Sequence, residues 1–402
     1  DRHFIAPRNI REMAHDLAGL MNVISPATAD TSIFFPLSSA LPLPWGWDLA
    51  AVEQFKKMGI TAQELPTVEA LAALRTRSER ITAHHLLQQM LPLSEHLTGE
   101  SYVCRSLDDI KAYATQHSHL LLKAPLSGSG KGLRHVNKER LPLSPSGGGT
   151  PESSEQSGGG MLSLSSSLKK VESWANALIR RHGYLTAEPY YNKVQDFAME
   201  FIADATGCHF IGYSYFITDG HGRYIASRLM SDAKAEDLLC TYVPRKALHK
   251  IRQWMILHHT DIIPSEWDTT RHPLPFGIDM MIVRESKQST VNSLQSMVNH
   301  PDSNSEFRTQ NSKFTIHPCV EINLRMNMGI IAHEIYRHLL TPDTEGTFRI
   351  ARFPDNASLR TFHDEQTSLL PATYRESRLA RGYKAITPIN TGTTHLAYIL
   401  CE

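Results

Sequence analysis

The chain has 402 residues, and its 41 Lys and Arg balance 41 Asp and Glu, so the formal net charge is zero. This balance gives no general case for a nucleic-acid-binding or membrane-surface protein, and no window approaches the roughly 20 apolar residues of a membrane span. The five cysteines are odd in number, far apart and without a CxxC pair, which is typical of a reduced protein with isolated thiols. We therefore expect a cytoplasmic chain that binds neither nucleic acid nor membrane.

The first part of the chain combines helical stretches with one buried strand and one segment of low complexity. Helical patterns in the first hundred residues surround the Pro- and Trp-rich turn LPLPWGWD. HLLLKAP, residues 119–125, is a short apolar run bounded by turn residues, which predicts a buried strand. LSPSGGGTPESSEQSGGGMLSLSSS, residues 143–167, is rich in Gly and Ser and has few residues that could pack. We interpret residues 143–167 as a flexible insertion in a loop.

The rest of the chain alternates strand-like runs with helical patterns. LKKVESWANALIRRHG, residues 168–183, predicts a helix that stops at a Gly. Four strand-like runs separated by the turn signals DATG and DGHG predict an antiparallel meander; they are YLTAEPYY, DFAMEFIA, HFIGYSYFIT and RYIASRLM, all between residues 184 and 230. The remaining predicted elements are a helix in ALHKIRQWMILHH, strands in PFGIDMMIV and KFTIHPCVEIN, and a helix in RMNMGIIAHEIYRHLL.

The stretch VEINLR, residues 320–325, places an acid, an amide and a guanidinium on alternate residues. Successive side chains of a strand point to opposite faces, so Glu321 and Asn323 project the same way, and Arg325 follows if the strand continues. Mg²⁺ prefers oxygen ligands, typically one or two carboxylates together with substrate phosphates. The stretch therefore fits a site for a metal-bound phosphate; a strand end with a surface salt bridge is the alternative.

The Gly-rich segment PLSGSGKG, residues 125–132, directly follows the strand that ends in Lys123. Glycines allow backbone N–H groups to approach a phosphate closely, but the spacing matches neither a P-loop nor GxGxxG. A flexible hairpin turn explains the glycines equally well. A Lys at the end of an apolar strand needs an anionic partner, however, and a bound phosphate would supply one.

HEIYRH, residues 333–338, has a superficial likeness to the HExxH motif of zinc proteases. Its two histidines are five residues apart, so on a helix they diverge by roughly 140° instead of sharing a face. We therefore reject a zinc site there.

In their order along the chain, these motifs resemble the ATP-grasp superfamily of ligases. The set runs from Lys123 and its Gly-rich loop through AEPYY and DFAMEF to FGIDMM and VEINLRMNMG, and spans roughly residues 102–340. The resemblance implies an α+β (α/β) fold, with two α+β subdomains that clasp ATP and a smaller preATP-grasp-like α/β domain before them. The implied boundaries are 1–100 for the N-terminal domain, 101–183 for the first subdomain with its insertion, 184–345 for the second subdomain with the metal site, and 346–402 for a C-terminal extension.

The resemblance also implies which residues hold the nucleotide. Lys123 would bind the α/β-phosphates on the adenine side. A lid over the β/γ-phosphates, with Lys131 reaching in, would consist of Ser127, Gly128, Ser129, Gly130, Lys131 and Gly132. A hinge strand that hydrogen-bonds the adenine edge through its backbone would consist of Glu188, Pro189, Tyr190 and Tyr191. Asp196 would bind the ribose hydroxyls, with a strand-end salt bridge as the alternative.

The metal set and the cations complete the implied site. Asp279, Glu321 and Asn323 match the metal ligands, and Arg325 matches the Arg that steadies the acyl-phosphate. Arg228 corresponds to a cation near the γ-phosphate, and Arg80 to the first cationic position. If the strands of Asp279 and Glu321 are neighbours, three oxygen ligands converge, which is enough for Mg²⁺ that also binds phosphate oxygens.

The resemblance favours an ATP- and Mg²⁺-dependent ligase that activates a carboxylate as an acyl-phosphate for attack by an amine or other nucleophile. Mn²⁺ is the alternative metal. The expected partners are ATP and a small carboxylate and amine pair, with a homodimer as an open alternative. Phosphoryl transfer needs positioning and charge neutralisation more than a protein base, which explains why no nucleophilic residue is required. Because a fold alone does not choose a function, an ATP-dependent small-molecule kinase on the same fold and a non-catalytic ATP-binding protein also remain open.

Overall fold

The computed structural model describes residues 8–20, 44–127, 132–137, 139–140, 162–163, 165–219, 224–285 and 314–401. It divides the chain into two compact units. The larger unit is Asp1–Gly99 with Asn192–Glu402, and the smaller unit is Glu100–Tyr191. No helix in the described ranges combines the length and apolar character needed to cross a membrane.

Eleven α-helices are described. They are α1 (Arg8–Asp16), α2 (Leu49–Lys57), α3 (Val68–Arg77), α4 (Arg80–Met90), α5 (Leu107–Gln116), α6 (Ser165–His182), α7 (Asp232–Cys240), α8 (Arg245–Leu257), α9 (His259–Ile262), α10 (Met328–Leu339) and α11 (Asn356–Leu369). Short 3₁₀ turns follow α1, α2 and α4.

Fifteen strands are described. They are β1 (Tyr102–Cys104), β2 (His119–Lys123), β3 (Leu133–Asn137), β4 (Glu139–Arg140), β5 (Leu162–Ser163), β6 (Leu185–Pro189), β7 (Lys193–Asp204), β8 (Gly207–Thr218), β9 (Tyr224–Leu229), β10 (Leu274–Arg284), β11 (Phe314–Asn323), β12 (Gly346–Arg352), β13 (Thr373–Arg375), β14 (Arg378–Ala385) and β15 (His395–Cys401). The mixed α+β class that the sequence predicts is confirmed.

The larger unit is built on a nine-stranded antiparallel sheet in the order β11-β10-β7-β8-β9-β12-β15-β14-β13. The apolar side chains of Phe197, Met199 and Phe201, which are alternate residues of β7, all project to one face of the sheet. There they join a buried cluster with residues of α3, α4 and α8. The opposite face carries a second buried cluster that includes Ile330, Ile331 and other residues of α10. Helices therefore cover both faces of this sheet, and α10 lies on the face of Ala198 and Glu200.

The smaller unit has a four-stranded antiparallel sheet in the order β1-β6-β2-β3. Leu120 and Leu122 of β2 belong to a buried cluster with Ile110 of α5 and with Val171 and Ala175 of α6. Because side chains alternate along a strand, Lys123 projects from the sheet face opposite to this cluster.

The structure differs from the predicted organisation in the strand partners. The runs of β7, β8 and β9 form the predicted antiparallel meander, but YLTAEPYY does not join it. That run forms β6, which pairs with β1 and β2 in the smaller unit. Residues 346–402, predicted as an extension, supply β12 to β15 of the nine-stranded sheet. In the described part of residues 1–99, the β structure is one isolated bridge, between Leu97 and Ile316.

The helix after the Gly-rich insertion begins three residues earlier than predicted. It starts at Ser165, and the buried Ser167 accepts a hydrogen bond from the Asn137 backbone N–H at 3.0 Å. This bond ties the first turn of α6 to the end of β3. The helix stops at Gly183, as predicted, with φ of 81°, a conformation that favours glycine. Residues 143–161 and 164 of the predicted insertion lie outside the described residues.

Candidate functional site

One face of the larger sheet brings acidic side chains of three adjacent strands together. Asp279 of β10 is paired directly with Glu321 of β11. In the next row Gly277 stands between Asn323 of β11 and Glu200 of β7. Directly paired residues of antiparallel strands project to the same face, so these side chains form one group, which we call the acid face.

Hydrogen bonds and an ion pair connect the predicted metal ligands with two arginines. Arg80, whose side chain is 8% exposed, donates from Nη2 to Glu321 Oε2 at 3.0 Å. Asn323 Nδ2 lies 3.3 Å from Asp279 Oδ1, and Arg325 Nη2 donates to Asn323 Oδ1 at 3.0 Å. The structure therefore brings Asp279, Glu321 and Asn323 together with Arg325 and Arg80.

The electrostatics of the acid face fit a bound cation. Burial raises the pKa of Asp279 above its ordinary range, and the charge of Glu321 adds to this effect. The donors present are two carboxylates and one amide oxygen; no three His, Cys, Asp or Glu side chains converge as a metal cage within the described ranges. Mg²⁺ characteristically uses one or two carboxylates and leaves its other positions to water and phosphate. The residues therefore fit Mg²⁺ held jointly with phosphate oxygens.

Glu200 is an acid of this face to which the sequence assigned no role. Its side chain is 2% exposed, and its Oε2 accepts a hydrogen bond from Asn327 Nδ2 at 2.7 Å. Burial raises its pKa to about 8. The alternation in DFAMEF places Glu200 on the face of Asp196, but Asn327 is 127 positions away in the chain and no local pattern predicts their contact.

Asp196 shows the salt bridge that the sequence offered as the alternative to ribose binding. Lys193 Nζ pairs with Asp196 Oδ2, and Thr218 Oγ1 donates to the same oxygen at 2.7 Å. Asp196 is paired with Met281 of β10, so it belongs to the acid face two positions beyond Asp279. A role at the ribose stays a prediction.

Arg228 is not brought to the acid face. It is paired with Tyr215, and Tyr215 is paired with Phe197, which projects to the other side of β7. Its side chain is 41% exposed and lies 3.2 Å from Glu345 Oε2. Arg228 therefore lies on the sheet face opposite to the acid face, because the face of a side chain depends on the register with the neighbouring strands. Its role near the γ-phosphate stays a prediction.

In the smaller unit, the anionic partner of Lys123 is a residue of the protein. Lys123 Nζ lies 2.5 Å from Glu188 Oε2, and both side chains are buried, at 3% and 8% exposed. Leu121 is paired with Glu188, and Lys123 with Thr186, so the ion pair is a diagonal contact on one sheet face. Glu188 therefore supplies an anionic partner for Lys123 within the protein, and a contact of Lys123 with a phosphate stays a prediction.

The predicted hinge residues lie at the end of β6 and just after it, beside β2. The ladder with β1 ends at Ala187, whereas the ladder with β2 continues to Pro189, and the Tyr190 N–H donates to His119 O at 3.0 Å. Tyr190 stacks on His119 with ring centroids 4.1 Å apart. A backbone role of Glu188, Pro189, Tyr190 and Tyr191 toward adenine stays a prediction.

The Gly-rich loop is closed by a backbone hydrogen bond from Ala124 N–H to Gly132 O at 2.9 Å. A side chain at Gly132 would bring its Cβ within 2.3 Å of Ser127, so this close approach requires glycine. Both ends of the loop belong to the β2–β3 hairpin. Gly128, Ser129, Gly130 and Lys131 lie outside the described residues.

The two histidines of HEIYRH have different partners, as their spacing predicts. His333 Nε2 lies 3.1 Å from Asp232 Oδ2, whereas His338 Nε2 lies 3.1 Å from Glu334 Oε2. The two imidazoles therefore do not form a common metal site.

No family model and no curated protein matches the chain. Solved structures with similarity include N5-carboxyaminoimidazole synthetase from Staphylococcus aureus complexed with ADP, at 10% identity over 81% of this chain and 68% of that chain, with a TM-score of 0.39. N5-carboxyaminoimidazole synthase from Aspergillus clavatus, in complex with ADP and 5-aminoimidazole ribonucleotide, matches at 13% identity over 88% and 75%, with a TM-score of 0.41. Biotin carboxylase from Campylobacter jejuni, complexed with β-γ-ATP, matches at 11% identity over 87% and 67%, with a TM-score of 0.45.

Proposed function

We propose that the chain is an ATP- and Mg²⁺-dependent ligase that activates a carboxylate as an acyl-phosphate for attack by an amine. The observation that carries the proposal is the direct pairing of Asp279 with Glu321 on neighbouring strands, with Asn323 and Arg325 beside them. The ordered motifs that resemble the ATP-grasp superfamily support the same function.

Each group of the acid face has a role in this chemistry. Asp279, Glu321 and Asn323 would hold Mg²⁺, which when bound neutralises charge on the ATP phosphates. Arg80 fixes the Glu321 carboxylate through their ion pair. Arg325 would stabilise the charge that develops on the transferred phosphoryl group.

The proposed reaction has two steps. An oxygen of the substrate carboxylate takes the terminal phosphoryl group of ATP, and ADP leaves. The amine then attacks the acyl carbon, the carbon–oxygen bond to phosphate breaks, and the amine loses a proton as phosphate departs. Because the protein forms no covalent bond in either step, its contribution is to position the reactants and stabilise charge.

In the smaller unit we propose that Lys123 binds a phosphate oxygen of the nucleotide. A Lys ammonium has three donors, so Lys123 can keep Glu188 and accept a phosphate oxygen as a second partner. The Gly-rich loop that follows β2 would contribute backbone N–H groups.

A phosphate-release screen with ATP, Mg²⁺ and a panel of carboxylic and amino acids tests this function. A ligase releases phosphate only when an acid and an amine are both present. A kinase forms a stable phosphorylated product with one co-substrate, and a protein that only binds ATP turns nothing over. Glu321→Gln should abolish phosphate release, whereas the matched control Glu345→Gln, which changes the exposed partner of Arg228, should not.

A further inference from the structure

The turn between the last residue of β11 and the first turn of α10 is short and anchored at both ends. It consists of Leu324, Arg325 and Met326, and the two apolar residues are 4% and 1% exposed. Arg325 Nη1 also donates to Met326 O at 3.0 Å. The position of the Arg325 guanidinium therefore depends on how the far end of this turn, at Asn327, is held.

Asn327 caps α10 and at the same time contacts Glu200. Its Oδ1 accepts hydrogen bonds from the N–H groups of Gly329 and Ile330 at 2.8 and 3.0 Å. Backbone N–H groups can only donate, so the amide oxygen must face the helix and Nδ2 must face Glu200. The N–H groups of α10 thus fix the orientation of the carboxamide, and Glu200 accepts the hydrogen bond from its amide donor.

Two glycines leave the space that the Glu200 carboxylate occupies. A Cβ at Gly277 would lie 2.2 Å from Glu200 Oε2, and a Cβ at Gly329 would lie 2.0 Å from Glu200 Oε1. Gly277 is also the residue between Glu200 and Asn323 in the strand register. The carboxylate therefore reaches from the acid face to the N-terminus of α10 through a space that any side chain would close.

Helix capping alone does not explain this arrangement. In α3, α7 and α11 the cap is a single side chain, from Thr67, Ser231 and Asp355 respectively. A single Ser, Thr, Asp or Asn is sufficient for a cap, and burying a carboxyl group behind it is costly unless the group has partners. The buried Glu200 next to the capping residue of α10 therefore indicates a role other than stabilising the helix.

We propose that Glu200 and Asn327 form a positioning pair that holds the Arg325 turn in register with the metal-binding acids. Neither residue touches the transferred phosphoryl group; both act through the placement of Arg325. The inference rests on the proposed function, because it assumes that Arg325 contacts that group during transfer. A shift of about 1 Å in such a contact can cost on the order of 100-fold in rate.

The test uses a ligand that does not require the unidentified acid and amine. Calorimetry measures the affinity of the full chain for Mg·ADP alone and for Mg·ADP with aluminium fluoride, a planar mimic of the transferred phosphoryl group. The gain in affinity on adding aluminium fluoride reports the contact of Arg325. Arg325→Ala should lose this gain and keep Mg·ADP affinity.

Four variants separate positioning from helix capping. Asn327→Ser keeps a capping oxygen but removes the amide donor. In this variant and in Glu200→Ala, the affinity gained on adding aluminium fluoride should fall about tenfold or more, while the affinity for Mg·ADP stays unchanged. Glu200→Gln retains an oxygen acceptor for Asn327 and should restore most of the gain. Asp355→Ala removes the cap of α11 and should lower the melting temperature without changing the gain.

Several outcomes would overturn the inference. Retention of the full gain by Glu200→Ala and Asn327→Ser, with normal Mg·ADP binding, would overturn it alone and leave the proposed function standing. If Arg325→Ala retained the gain, Arg325 would not contact the transferred phosphoryl group, and the inference would be overturned for that reason. A wild-type chain that binds no Mg·ADP would overturn the proposed function and this inference together.

Discussion

Individual carboxyl groups of the acid face differ from ordinary acids because their surroundings disfavour the charged form. Glu200 is removed from water by Gly277, Gly329 and α10, and Asp279 faces Glu321 across a strand pair. Burial raises the pKa of both. Arg80, by contrast, supplies Glu321 with a cation at 3.0 Å. Such perturbed acids are typical of functional sites.

The raised pKa of Glu200 predicts a specific dependence of stability on pH. Its pKa is 4.5 in an unperturbed chain and about 8 in the folded protein, so between these values the native state holds a proton that the unfolded state has released. The contribution of Glu200 to stability is therefore fully present below pH 4.5 and is lost as the pH rises through about 8. Urea denaturation at several pH values should show that the free energy of unfolding falls more steeply with pH in the wild type than in Glu200→Gln. Parallel curves would contradict the assignment.

The buried pair of Lys123 and Glu188 predicts unequal effects of single and double substitutions. Lys123→Ala leaves the Glu188 carboxylate buried without its cation, which should cost about 3–5 kcal/mol of unfolding free energy. The double variant Lys123→Met, Glu188→Leu removes both charges and should be close to wild type in stability. Denaturant titration measures both.

The same double variant also tests the role of Lys123 in nucleotide binding. A ligand that binds only the folded state raises the melting temperature, and the double variant should lose part of the shift that Mg·ATP produces in the wild type. A well-folded double variant with the full shift would contradict the proposed contact of Lys123 with phosphate.

At the level of elements, the helix α1 is attached to β15 through one carboxylate. Asp16 Oδ2 accepts hydrogen bonds from the backbone N–H groups of Thr394 and His395, both at 3.0 Å, and lies 3.1 Å from His395 Nδ1. Burial opposes ionisation, but these hydrogen bonds outweigh it and lower the pKa of Asp16. Asp16 therefore connects the first described helix to a strand more than 370 positions later in the chain.

We predict that Asp16→Ala releases α1 from β15. Hydrogen exchange of the α1 amides should become faster, because the helix has nine residues and isolated helices of this length are marginal in water. The matched control Asp16→Asn keeps an oxygen acceptor for the two backbone N–H groups and should retain much of the protection. Equal exchange in Asp16→Ala and wild type would show that other contacts hold α1.

The sequence predicted elements better than their partners, for a physical reason. Alternation in FGIDMM and VEIN identifies which side chains share a face, so Asp279 and Glu321 could be expected to meet if their strands paired. Alternation does not say which strands are neighbours. The prediction therefore placed YLTAEPYY in the antiparallel meander, whereas this run forms β6 of the smaller sheet. Register likewise decides that Arg228 lies on the face opposite to the acids. The contact of Glu200 with Asn327 depends on the docking of α10, which no local pattern encodes.

At the level of the whole molecule, the residues that the ordered motifs single out fall into two compact units. The larger unit contains the acid face with Arg80 and Arg325, and the smaller unit contains Lys123, Glu188 and both ends of the Gly-rich loop. The overall charge is neutral, so we expect an anionic ligand to be selected by such local groups and not by a long-range field. We propose that the acid face binds the nucleotide's phosphates through a divalent metal.

Calorimetric titration of ADP, with and without Mg²⁺, tests that claim most directly, because it needs neither the acid nor the amine substrate. We predict that Mg²⁺ strengthens ADP binding to the wild type by at least about tenfold, or ~1.4 kcal/mol. The gain should be lost in Glu321→Gln and Asp279→Asn and kept in the control Glu345→Gln, and Mn²⁺ should substitute for Mg²⁺. An equal Mg²⁺ effect in Glu321→Gln and wild type would contradict the account and leave VEINLR as a structural strand end.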